Sequence, residues 1–118
     1  MQVIGTGIDI VEVKRLKQSV KRWGDLFLSR VFTDKEIAYA KSKRFSYEHL
    51  AGRFAAKEAV IKAAGSAEFA FKDIEITNNA SGKPIVALTK ADKRYKISVS
   101  ISHIKDYAVA SAIITKKS

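Results

Sequence analysis

Between Tyr47 and Ala64 the chain carries strong helix formers, and Leu50, Phe54, Ala55, Ala59, Val60 and Ile61 leave that helix apolar around most of its circumference. A helix of this kind needs cover on several sides, so the remaining chain must wrap it. Ser46 offers a cap at its start and Gly65 a stop at its end. Glu58 sits inside the apolar arc, between Leu50, Phe54 and Ile61 on the wheel, with Lys62 one turn later and Lys57 beside it. A carboxylate so placed costs free energy unless a cation, a metal or hydrogen bonds compensate it.

The segments around this helix divide by their period. Val3 to Ile10 reads as a strand with Ile4, Ile8 and Ile10 on one face and Gly5, Gly7 and Asp9 on the other. Aspartate is disfavoured in strands, and two glycines on its own face suggest that something approaches the backbone closely there. From Val11 to about Arg30, Val13, Leu16, Val20, Trp23 and Phe27 recur at intervals of three and four, which predicts an amphipathic helix, with Gly24 interrupting its last third. Thr33 and Glu36 form a capping box that opens a shorter helix running to about Lys43. Beyond Gly65 the chain turns to β character, in runs at Phe71 to Thr77, Pro84 to Leu88, Tyr95 to Ser102 and Tyr107 to Thr115. The last two runs form a hairpin across His103 to Asp106. No repeat or linker composition divides residues 1–118, so the expected architecture is α+β in a single compact domain: an N-terminal strand, three helices and a C-terminal antiparallel sheet.

Charge narrows the partners without choosing among them. Lys and Arg number 22 against 12 Asp and Glu, a formal net charge of +10, enough to draw in anions over a distance. Lys14, Arg15, Lys17, Lys21 and Arg22 fall on the side of the first helix away from its apolar stripe. Such a face is either simply solvated or a docking surface for an acidic partner. Nucleic acid, an anionic membrane, a phosphorylated small molecule and an acidic protein all remain open. The absence of cysteine excludes thiol nucleophiles, disulfides and thiolate metal sites, leaving chemistry on oxygen and nitrogen. With no leader-like start and no apolar run near twenty residues, a cytoplasmic location is expected.

Asp9 and Glu58 stand where structure alone would not put acids. Hard oxygen donors of this kind suit magnesium, which takes one or two protein carboxylates and completes its shell with water and phosphate. The competing reading is that each is an ordinary ion pair, Glu58 with Lys62 at the favoured helix spacing. Arg53, Lys57 and Lys62 add three cations on the same helix, an arrangement suited to positioning a phosphorylated ligand and stabilising its spread charge. His103 at a strand end is weak evidence for phosphate contact or proton transfer, and His49 weaker. Gly82-Lys83-Pro84 is first of all turn chemistry that also lets a nucleotide approach the backbone. No Walker loop, dinucleotide fingerprint, paired-histidine metal site or serine elbow occurs.

Gly7-Ile8-Asp9-Ile10-Val11-Glu12, followed some forty residues on by Arg53-Phe54-Ala55-Ala56-Lys57-Glu58-Ala59-Val60-Ile61-Lys62-Ala63, resembles the two signature motifs of the 4'-phosphopantetheinyl transferases. Val31 to Glu36, Asp73 to Ile76, Gly82 to Pro84 and Ser100 to His103 resemble later segments of that family in the same order, with the spacing of its short bacterial branch, the holo-acyl-carrier-protein synthases. The resemblance implies that fold, and transfer of the 4'-phosphopantetheine group from coenzyme A to a serine of apo acyl carrier protein, releasing adenosine 3',5'-bisphosphate. It implies that Asp9 and Glu58 hold Mg2+ against the coenzyme A pyrophosphate, that Lys62 serves the leaving oxygen, and that Arg53, Lys57, Lys62, Gly82, Lys83, Pro84 and His103 line the nucleotide site. It further implies a homotrimer with active sites between subunits, docking of the acidic carrier on Arg15 and its basic neighbours, and neither nucleic acid nor membrane as partner. The pattern departs at Ser66-Ala67-Glu68, where family members carry a second glycine and small residues near the substrate phosphates. The alternatives from other classes are a small basic RNA-binding protein, stacking bases on Tyr95 and Tyr107, and a metal-dependent nuclease.

Overall fold

The long apolar helix is the centre of the molecule. In the computed structural model, which describes residues 1–65, 69–89 and 94–117, it is α4, Ser46–Ala64. One side packs on a three-stranded antiparallel sheet ordered β1-β5-β4, formed by Gln2–Glu12, Tyr107–Lys116 and Tyr95–His103. The other sides are covered by three short helices, α1 (Val13–Trp23), α2 (Asp25–Val31) and α3 (Asp34–Lys41), and by a hairpin of β2 (Ile74–Asn78) and β3 (Pro84–Leu88). Ala55, Ala56, Ala59 and Val60 of α4 are sealed against Ile74, Ile76, Val99 and Ile114. A second cluster gathers Leu16, Leu28, Val31 and Phe32 around Leu50 and Ala51.

The α+β class and the antiparallel C-terminal hairpin match the expectation, and the differences have local causes. The first strand does not stand apart: it continues through Val11 and Glu12 and pairs with β5 from Gln2↔Lys116 to Glu12↔Tyr107. The helix expected over residues 11–30 is two helices, because Gly24 takes φ 55° and ψ −133°, a conformation that L side chains avoid, and α2 restarts at Asp25. There are therefore four α-helices among the described residues rather than three. Trp23, the last residue of α1, keeps its place in the three- and four-residue spacing, yet at the helix end it is 53% exposed. Phe71–Asp73 forms a turn of 3₁₀ helix before β2 begins at Ile74.

The period of two along β1 holds, but the face that looks inward is the glycine face. A Cβ built on Gly5 would stand 1.9 Å from the carbonyl oxygen of Ala63, and one on Gly7 2.0 Å from that of Ala59. Strand and helix thus meet backbone to backbone, which only glycine permits. Ile4, Ile8 and Ile10, on the other face, are exposed, with Ile113 of β5 beside them.

Candidate active site

The glycine contact brings Asp9, two residues beyond Gly7 on the inward face of β1, up to the α4 turn that carries Glu58 and Lys62. Asp9 and Glu58 line one cavity of about 510 Å³ together with Arg15, Ser19, Phe54 and Tyr107. Lys62 Nζ lies 2.9 Å from Asp9 Oδ1 and also donates to the Ile8 carbonyl at 3.1 Å. The ion pair that the helix spacing offers to Glu58 therefore goes across to the strand. Hydrogen bonding to Asp9, then its charge, raises the Lys62 pKa. Among the described residues Glu58 has no such partner: burial first, and the Asp9 charge second, push it above the usual carboxylate range, with Lys62 pulling the other way.

This has a sign that titration can read. A carboxyl raised in the folded state holds more protons than in the unfolded chain between the two values, so its cost is absent below the unfolded pKa and fully present above the folded one. Asp9→Asn removes one source of the rise and frees Lys62. In the metal-free protein, Glu58 followed by carboxyl ¹³C NMR is expected to titrate at lower pH in Asp9→Asn than in the parent; an unchanged midpoint would mean that the two acids do not sense each other.

The donor set also bears on a metal. Two hard carboxylates share a cavity, one of them lacking a close cation, and no group of three or more His, Cys, Asp or Glu forms a metal cage among the described residues. That fits a cation taking two protein oxygens and drawing the rest of its shell from water and phosphate, as magnesium does.

A second cavity, of about 220 Å³, lies at the other end of α4, where Arg53, His49, Gly52 and Tyr39 meet Asn78, Gly82, Pro84 and His103. Arg53 is buried; it donates to Asn78 Oδ1, stacks over Tyr39 with its guanidinium 4.0 Å from the ring centroid, and leaves Nε without a partner. Burial lowers its pKa, against the opposing effects of Tyr39 and Glu36. A desolvated guanidinium lining a cavity favours an anion there. His103 closes the cavity, with Nδ1 3.0 Å from Glu48 Oε1.

The expected residues thus fall into groups. Asp9, Glu58 and Lys62 come together, with Arg15 on the same cavity; Arg53, Gly82, Pro84 and His103 form the second. Lys83 faces a different groove, between β3 and β4, beside Lys96 and Lys117. Lys57 is a correction. Its side chain is wholly buried, paired with Glu36 at 2.6 Å and donating to the carbonyls of Val31 at 2.7 Å and Phe71 at 3.0 Å. With its donors spent inside the fold it cannot line a nucleotide site, so its role is to fasten α2 and the segment before β2 to α4. Lys14, Arg15, Lys17, Lys21 and Arg22 are all exposed on α1. Ser66-Ala67-Glu68 lies outside the described residues. Sequence reading missed Asn78 and Tyr39, which line the second cavity, and Glu48, which holds His103 at its edge; Glu48 and Asn78 carry no signal beyond a first-turn acid and a turn residue.

Comparison with known proteins shows the family. The sequence profile of the 4'-phosphopantetheinyl transferase superfamily matches residues 5–112. A holo-[acyl-carrier-protein] synthase of Clostridium kluyveri is 46% identical over 121 residues, covering 95% of this chain and 90% of that protein. One of Thermodesulfovibrio yellowstonii is 47% identical over 112 residues, covering 94% and 97%. The crystal structure of a Bacillus anthracis holo-(acyl-carrier-protein) synthase in complex with CoA (3',5'-ADP) superposes with a TM-score of 0.86 at 36% identity, covering 99% of this chain and 100% of that one. The Helicobacter pylori holo-[acyl-carrier-protein] synthase in complex with coenzyme A gives 0.82 at 33% identity, covering 93% and 99%.

Proposed function

Since this chain belongs to the 4'-phosphopantetheinyl transferase superfamily, we propose that it transfers 4'-phosphopantetheine from coenzyme A to a serine of apo acyl carrier protein, giving holo acyl carrier protein and adenosine 3',5'-bisphosphate. The observation that carries this reading is the joining of Asp9 and Glu58 in one cavity, with Lys62 fastened to Asp9 at its edge. Asp9 and Glu58 would hold Mg2+, which when bound supplies positive charge to the coenzyme A pyrophosphate.

The chain's own residues account for the rest. The carrier serine oxygen attacks the β-phosphorus as its proton passes to a nearby carboxylate of the cavity; the bond from that phosphorus to the bridging oxygen breaks, and the adenosine bisphosphate departs with that oxygen. Lys62, more than half exposed and bonded on one side only to Asp9 and Ile8, is placed to neutralise or protonate the leaving oxygen. Arg53 and His103, with Gly82 and Pro84 beside them, take the nucleotide end. Lys14, Arg15, Lys17, Lys21 and Arg22 receive the acidic carrier, and Arg15 links that face to the cavity where serine must arrive. The exposed Trp23 and Leu26 add apolar surface beside these bases.

Among the described residues, the reaction centre and the nucleotide cavity share no lining residue within one chain. A homotrimer, in which one subunit supplies Asp9, Glu58 and Lys62 and its neighbour supplies Arg53 and His103, reconciles this with a single substrate. The bare Ile4, Ile8, Ile10 and Ile113 face is the surface such a trimer would bury. No described helix is long and apolar enough to cross a membrane; the proposed setting is the cytoplasm, serving fatty acid synthesis, with residues 1–118 as one catalytic domain. The test is incubation with coenzyme A, magnesium and an apo acyl carrier protein, read by intact mass. A gain of the phosphopantetheine mass on the acceptor is expected; none on a competent acceptor would refute the reading.

A further inference from the structure

His103 meets the nucleotide cavity with one of its two ring nitrogens already committed. Its Nδ1 lies 3.0 Å from Glu48 Oε1, across 55 residues of sequence. A carboxylate can only accept, so the proton of the neutral ring stands on Nδ1, and every proton that the ring gains or loses is exchanged at Nε2. The ring is also held on its faces. His49 packs edge-on at 4.8 Å between centroids and is itself braced by Tyr39 at 5.6 Å. Cδ2, the carbon next to Nε2, faces the side-chain-free Gly52, where an added Cβ would come within 3.9 Å of it. Burial first, then the charges of His103, Arg53 and Lys43, lower the His49 pKa, so His49 acts as a neutral stacking partner rather than a further cation.

We propose that Glu48 is a positioning residue for nucleotide binding: it fixes the tautomer and orientation of His103 so that Nε2 alone is offered to the cavity beside Arg53. The inference rests on the assignment of that cavity to the nucleotide end of coenzyme A. Without Glu48 the imidazole must be ordered at the moment of binding, and ordering one such side chain weakens affinity by roughly three- to tenfold.

The experiment uses the full chain, with adenosine 3',5'-bisphosphate as the ligand for calorimetry and ¹⁵N imidazole NMR in alkaline buffer for the tautomer. The parent is expected to show the Nδ1–H form at His103. Glu48→Ala should shift it towards Nε2–H and weaken bisphosphate binding by roughly three- to tenfold. Glu48→Gln, whose side-chain oxygen still accepts, should keep the parent tautomer and affinity. In a His103→Ala background, Glu48→Ala should have no further effect on affinity, because Glu48 acts only through that ring. An unchanged tautomer or affinity in Glu48→Ala, or a loss that persists without His103, would overturn the proposal. Failure of the parent to bind the bisphosphate would overturn the functional reading beneath it, and is told apart because the Nδ1–H signal would remain.

Discussion

Glu58→Gln is expected to lose phosphopantetheine transfer by about 10²- to 10³-fold in kcat, with secondary structure unchanged and the melting temperature no lower, since preorganised charge acting on a phosphoryl centre is worth that much. The substitution keeps shape and removes only charge: among the described residues Glu58 has no close ion pair, whereas Asp9 is held by Lys62. The folded protein also sheds the repulsion between the two acids, so stability should hold or rise slightly while activity collapses. The same variant probes where the active site is built. If each site draws Glu58 from one subunit and His103 from the next, Glu58→Gln and His103→Ala chains refolded together in equal amounts recover activity at about one site in four, as random assortment around a closed ring requires. Steady-state transfer measured on the separate and mixed variants decides the matter; no recovery on mixing would place both residues in one chain's site.

Lys57→Met is expected to cost about 3–5 kcal/mol of folding stability, because it leaves a buried carboxylate unpaired. Glu36 and Lys57 are both fully buried, and their network reaches four elements. Glu36 caps α3 by accepting from the Thr33 amide at 2.8 Å, and its second oxygen accepts from the Ile76 amide on β2 at 2.8 Å. Lys57 binds the last carbonyl of α2 and that of Phe71. Removing the ammonium exposes the whole set to an uncompensated negative charge. Adding Glu36→Gln to Lys57→Met removes that charge and should recover on the order of 1–2 kcal/mol, even though one amide loses its acceptor. Urea unfolding of the parent, the single and the double variant measures this. A double variant no more stable than the single one would mean that the cost is packing rather than charge.

The Lys57 case shows where sequence stops. A helical wheel puts Lys57 beside Glu58, and by angle it is; depth is set by what covers each side of α4, and over Lys57 the cover comes from α2, α3 and the 3₁₀ turn before β2, all distant in sequence. The wheel likewise puts Trp23 on the buried stripe, but it is the last residue of α1, and an angle on a wheel does not say whether anything covers a helix end. Asp9 and Glu58 were legible for a reason independent of tertiary detail: an acid among strand isoleucines and an acid in an apolar arc both need something to compensate them. The alternation of β1 was equally plain, but a period of two does not say which face is inside. The apolar face is outside because the glycine face fits against a helix backbone. Asn78 and Glu48 were not legible, since each matters only through a partner, Arg53 or His103, that folding brings to it.

The backbone contact between β1 and α4 has a consequence for how this protein can change. Strand and helix are separated by two missing side chains at Gly5 and Gly7, not by packed ones, so the span between the two acids is a property of main chain touching main chain. Substitutions among Ile74, Ile97 or Ile114 can reshape the interior without stretching that span. A single methyl group at residue 7 would stretch it at once. The interior is thus free to drift over generations while the gauge of the reaction centre stays fixed.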